Sequence, residues 1–107
     1  MTETFAALSD STRMAVVGLL SKKPRRAGEL AEKLAMTPAA MSRHLRILRR
    51  SGLIGVEGIE DDARVRIYHL RQERFEQMRG WLDDVERFWT GQLASFKNHV
   101  EKRGRKR

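Results

Sequence analysis

At 107 residues, with 40% hydrophobic and 34% charged residues and two prolines, the chain has room for one modest core and is too apolar to be disordered. Its 22 Lys and Arg against 14 Asp and Glu give a formal net charge of +8, which favours a polyanion as partner, nucleic acid ahead of an anionic membrane surface. Cysteine is absent, which excludes disulfides and thiolate metal sites, and no apolar run approaches the roughly 20 residues of a bilayer span. The start, Met1 to Phe5, has neither the basic nor the apolar stretch of a signal peptide, so a cytoplasmic protein is expected.

In chain order, Ser9 or Asp10 can cap a helix beginning near Ser11, because a short side-chain oxygen satisfies an orphan N–H. Met14, Val17 and Leu20 line one face of it, with Val16 and Leu19 beside them, and Pro24 ends the run within a basic linker, Lys22 to Arg26. A short helix from Ala27 to about Leu34 buries Leu30 and Leu34, and Ala35-Met36-Thr37 is a tight connection. Thr37 is then an N-cap with Pro38 at the first helical position, where its missing N–H is harmless. The helix it opens runs to Ser51, and Gly52 takes the left-handed conformation that stops it, with Leu53 as the apolar contact beyond.

There the period changes. Leu53 to Glu57 and Arg64 to Leu70 read as two strands, the second alternating Val65 and Ile67 against Arg66 and Tyr68, with Gly58 to Ala63 as the hairpin tip. From Gln72 to about Lys102 a long helical pattern follows, and residues 102–107 form a basic tail, either a solvated end or a non-specific DNA arm. Phe75, Met78, Leu82, Val85, Trp89, Gln92, Phe96 and Val100 keep near-heptad spacing on that helix, only Gln92 being polar, with Leu93 beside it to take its place, and Trp81 and Phe88 widen the stripe. A domain this small cannot cover such a stripe along its whole length, so part of it should meet a second copy.

Two short helices joined by a three-residue turn cross closely only if small residues pack between them, and Ala31, Ala35, Ala39 and Ala40 are in place to do so. On the second helix Leu45 and Leu48 fall within about 40° of Met41, while Arg43, Arg46 and Arg50 fall between about 140° and 200° from it. A solvated face normally mixes signs, yet Arg43, Arg46, Arg49 and Arg50 have no acid among them at i, i+4. A cationic helix face of this kind suits the major groove, where arginine can read guanine bidentately.

With Leu8-Ser-Asp-Ser-Thr-Arg13, Gly28-Glu-Leu-Ala-Glu-Lys-Leu34, Thr37-Pro-Ala-Ala-Met-Ser-Arg-His-Leu-Arg-Ile-Leu48, Ser51-Gly-Leu-Ile54 and Arg66-Ile-Tyr-His-Leu70, the chain resembles the arsenical-resistance repressor (ArsR-type) family of winged helix-turn-helix regulators, over about residues 5–70. The resemblance implies a mainly α fold with a small β-hairpin, as one winged helix-turn-helix domain over residues 1–107. Within it the helix-turn-helix takes 27–51, the wing 53–70 and a long dimerisation helix 72–102. It implies a repressor that binds palindromic operator DNA as a homodimer, with Ala39, Ala40, Ser42 and Arg43 in the major groove and Thr37 and Arg13 on phosphates. Dimerisation through the first and last helices recruits Phe5 and Leu8 to the stripe. The wing departs from expectation, since Glu60, Asp61 and Asp62 make its tip acidic; Arg64 and Arg66 can still reach the backbone from the strand.

No catalytic constellation accompanies these features. His44, His69 and His99 are scattered, and Ser42 and His44, two apart on a helix, do not face each other. No Gly-rich phosphate loop is present, and the last helix offers only His99 with Asp83, Asp84 and Glu101, so neither a metal nor another cofactor is expected. An unidentified small-molecule effector stays open. So do two other functions: a nucleic-acid-binding protein without sequence preference, and a winged helix that serves as a protein-interaction module.

Overall fold

The computed structural model describes the backbone of residues 1–58 and 65–105 and the side chains of 1–58 and 65–101. The elements run α1 (Thr2–Leu8), α2 (Ser11–Leu20), β1 (Arg25–Arg26), α3 (Ala27–Lys33), α4 (Pro38–Arg50), β2 (Ile54–Glu57), β3 (Ile67–Leu70) and α5 (Gln72–Arg105). This is a mainly helical winged helix-turn-helix with a small antiparallel sheet, ordered β1-β3-β2, and a long C-terminal helix. The chain divides into two units, Met1–Phe75 and the part of α5 from Glu76 onward.

Local chemistry sets most boundaries in the first unit. Of the two candidate caps for α2 it is Asp10 that acts, its Oδ2 accepting from the Arg13 backbone N–H at 3.0 Å, while Ser9 closes α1 through a 2.6 Å bond to the Ala6 carbonyl. Thr37 Oγ1 accepts from the Ala40 N–H at 3.1 Å and Pro38 opens α4. Both α3 and α4 end in the same way. The Met36 N–H reaches back to the Ala31 carbonyl (2.9 Å) and the Ala35 N–H to Glu32 (3.2 Å); Leu53 and Gly52 repeat the pattern on Leu48 (3.1 Å) and Arg49 (3.0 Å). The residue at the hinge of each motif is left-handed, Gly52 at φ 79° and Ala35 at φ 51°.

Alanine has a Cβ that crowds the following carbonyl oxygen in that conformation, at a cost of about 1–2 kcal/mol that glycine escapes. Part of the gain from glycine is offset by the freer unfolded chain. Ala35→Gly is therefore expected to stabilise the fold by about 0.5–1 kcal/mol, read as a higher urea midpoint at unchanged slope. A lower midpoint would show that the Ala35 methyl packs against something that outweighs its strain.

The core of this unit is Val16 and Leu20 from α2, Leu30 and Ala31 from α3, Met41, Leu45 and Leu48 from α4, and Leu53, Ile54 and Tyr68 from the wing, with Ala7 from α1. Each of the large aliphatic side chains stabilises the fold by about 1.5–3 kcal/mol. Before Ser11 the chain forms a further helix, α1, which lies against α2 and α4. Three expectations from the sequence are corrected. The buried face of α2 centres on Val16 and Leu20, since α1, α4 and β3 all pack on it; Met14 is 60% exposed. The basic linker contains a strand, β1, whose Arg25 and Arg26 pair with Tyr68 and Ile67 of β3. That makes β3 the central strand and fixes its faces: Tyr68 points inward and Ile67 outward, the reverse of the alternation expected.

Arg25 is only 7% exposed, although the sequence places it among solvated cations. Its Nε donates to the Leu19 carbonyl at 3.1 Å and its Nη1 lies 3.3 Å from Glu29 Oε1. The guanidinium thus ties the end of α2 to the first turn of α3.

Candidate nucleic-acid interface

Helix α4 turns Met41, Leu45 and Leu48 into the core, so the opposite face is presented to solvent by default. Ala39, Ser42, Arg43, Arg46, Arg49 and Arg50 are exposed there and Ala40 is half-buried. The four arginines make no hydrogen bond or ion pair among the described residues. Thr37 is exposed beside them; its hydroxyl oxygen accepts from Ala40, which leaves its own proton to donate outward.

What holds α4 in place was only partly legible in the sequence. Arg13 is half-buried: Nε donates to the Ala7 carbonyl at 2.6 Å and Nη1 approaches His44 Nδ1 at 3.3 Å. Arginine only donates, so Nδ1 accepts, and the proton of that tautomer sits on Nε2. Asp10 Oδ2 lies 3.7 Å from the same nitrogen. His44, set aside as a catalytic residue, is thus the link from the start of α2 to α4. The Asp10 carboxyl titrates below its ordinary value of 3.8, first because it accepts the Arg13 backbone N–H; desolvation, the next effect in size, opposes this, and the Arg13 charge adds a lesser lowering. Its contribution to the fold is in force above that value and is lost as pH falls through the lowered one.

In the wing, Gly55 pairs with His69 and Val56 with Tyr68. Arg66 is half-buried ahead of β3, whereas Arg64 and the acidic tip, Glu60 to Asp62, lie outside the described residues. Along α5, Phe75 and Met78 are half-buried, and so are Phe5 and Leu8 of α1. Every residue from 79 to 101 is exposed, including Leu82, Val85, Trp89 at 61% and Phe96 at 67%. No group of three His, Asp or Glu is arranged to hold a metal ion among the described residues, and none of the helices described is long and apolar enough to cross a membrane.

Residues 8–57 match the family model described as a helix-turn-helix domain. The chain is 32% identical over 99 residues to the HTH-type transcriptional regulator Rv2034 of Mycobacterium tuberculosis, covering 92% of this chain and 86% of that one. It is also similar to the solved ArsR family transcriptional regulator RHA00566, at 33% identity and TM-score 0.74, over 82% of this chain and 93% of the other. The chain belongs to the ArsR family. Another solved ArsR-like regulator, from Rhodococcus sp. RHA1, superposes with TM-score 0.77 at 27% identity over 91% of this chain and 89% of its own. This ArsR-family protein is accordingly a DNA-binding transcriptional regulator and not an enzyme. The mainly α winged helix-turn-helix that the resemblance implies is the fold found, with β1 joined to the hairpin.

Proposed function

We propose that this regulator is a repressor that binds an imperfectly palindromic operator as a homodimer in the cytoplasm, with α4 in the major groove. The observation that carries the reading is the outward face of α4: exposed arginines without local partners, on a helix whose other side is locked in the core. Ala39, Ala40 and Ser42 are small enough to let the helix approach the groove floor, Arg43 and Arg46 are long enough to reach base edges, and Thr37 donates to phosphate. Arg13, with Nε and Nη1 turned inward on Ala7 and His44, serves by positioning α4. Arg64 and Arg66 approach the backbone from the wing.

The dimer is proposed to form through Leu82, Val85, Trp89 and Phe96 of α5, joined by Phe75 and Met78 and by Phe5 and Leu8 of α1. An exposed aromatic stripe of this length on a lone helix is otherwise unstable in water, because helices draw most of their stability from an apolar face that is covered. Two linked α4 helices then meet half-sites about 34 Å apart. Light scattering coupled to size exclusion, with selection of bound duplexes from a random pool, tests both parts. A mass of one chain, or no enriched palindrome, refutes the corresponding part.

Operator binding is expected to be indifferent to Zn²⁺, Cd²⁺, arsenite and thiol oxidants. Soft metals and arsenite need thiolates, and the sequence contains no cysteine. His99 with Asp83, Asp84 and Glu101 makes a poor zinc set, since Glu101 is off the His99 face and one His per site is few. A tenfold shift in operator affinity on adding micromolar metal or chelator, about 1.4 kcal/mol of coupling, would refute this. Release then falls to a small molecule, a partner protein or a change in protein level.

A further inference from the structure

The cationic surface does not end at the outward face of α4. Arg46, Arg49 and Arg50 line one side of an open groove of about 810 Å³, and His69 of β3 and Arg71 just beyond it line the other. Four guanidinium groups border this space against one carboxylate, that of Glu57. Glu57 is 83% exposed and 3.9 Å from His69 Nε2, and Arg71 lies 3.9 Å from Glu73, both too far for a hydrogen bond. Like charges at i, i+3 and i+4, as at 46, 49 and 50, repel one another. The helix dipole favours cations in the last turn of α4, which accounts for Arg49 and Arg50 but not for Arg46 or for Arg71 beyond β3. Glycine at 55 keeps the floor low, since a Cβ there would meet the His69 ring at 2.9 Å.

We infer that this groove is a second contact with DNA, seated on backbone phosphates beside the base-reading helix, with Arg49, Arg50 and Arg71 as donors and Arg46 shared between the two surfaces. The inference rests on the proposal that α4 enters the major groove. In duplex DNA one sugar–phosphate strand separates the major groove from the adjoining minor groove. A protein with a helix in the major groove and a hairpin beside it presents the space between them to that strand. The planar fork of arginine matches phosphate oxygens, whereas Ile54, Gly55 and Val56 on the floor have no side-chain donor with which to read a base. The volume of the groove is also far larger than a single free phosphate requires.

The test compares Arg49→Gln/Arg71→Gln and Arg43→Ala with the wild type on selected and random duplexes, between about 50 and 200 mM salt. The double variant is expected to bind both duplexes more weakly by the same factor, to keep its base preference, and to lose about 2 from the log–log salt slope. The Arg49→Lys/Arg71→Lys variant should restore most of that slope, and matching thermal melts establish that all variants are folded. An unchanged slope in the folded double variant overturns the inference, as does a loss confined to the selected duplex. If the wild type selects no sequence at all, the base-reading proposal fails instead, and the slope on random DNA still decides the groove. Should tripolyphosphate perturb the NMR signals of Gly55 and His69 while the variants keep the full DNA slope, the groove takes a free polyanion and the backbone assignment is overturned.

Discussion

Trp89→Glu is expected to yield a monomer and to weaken operator binding by about 10²-fold or more, because the second half-site is no longer bound intramolecularly. Trp89 is 61% exposed in the single chain, midway along the α5 stripe. Covered by a second copy, an indole removes about 150–250 Å² of surface from water. A carboxylate in its place would be buried without a partner, and such a group costs far more than the lost contact alone. Glutamate is a good helix former, so the substitution leaves the helix itself intact and the loss reports on association. Trp89→Phe should keep both the dimer and the affinity. A Trp89→Glu protein that still elutes with twice the mass of one chain, at wild-type affinity, would place the interface elsewhere.

Arg43→Ala should cost about 1–3 kcal/mol per half-site on the operator and relax the preference at one base pair of each half-site. Arg43 is exposed and has no partner among the described residues, so removing it leaves no orphaned group inside the protein. Alanine is the best helix former, and the fold of α4 is preserved. The signature that matters is the contrast with the groove arginines, whose loss should weaken all duplexes alike. Equal weakening of operator and random DNA by Arg43→Ala would mean that this side chain touches only the backbone.

Where the sequence alone suffices, the chemistry is local. Thr37-Pro38 starts α4 and Gly52-Leu53 ends it, and each pattern needs only a few neighbouring residues to act. The inward face of α4 followed from helical period alone, and with it the outward arginines that form the candidate site. What the sequence does not display depends on distant partners. Two residues have no period, so β1 becomes visible only once Tyr68 and Ile67 arrive beside it. Arg25 reads as one more surface cation until Leu19 and Glu29 enclose its guanidinium. Helix α1 has no side-chain cap at Met1 to announce it. The Arg13–His44 link spans 31 positions, and the groove between α4 and the wing needs Arg49 and Arg71 on one side of the fold. A cluster of cations between α3 and the wing was in plain view; which of them face one another was not.

The central position of β3 also bears on how such a regulator can diversify. The strand is held on one side by β2 and on the other by β1, so the base of the hairpin is anchored to the segment that leads into α3. Gly58, at φ 134°, approaches the Val65 carbonyl so closely that any side chain there would clash, which closes the hairpin before residues 59–64 begin. The described core of the helix-turn-helix is drawn from residues up to Ile54 and from Tyr68, so it is complete without residues 59–64. Exchanging the acidic Glu60-Asp61-Asp62 for neutral or basic residues thus alters the charge carried beyond Gly58 while the anchored strands and the inward face of α4 keep their partners.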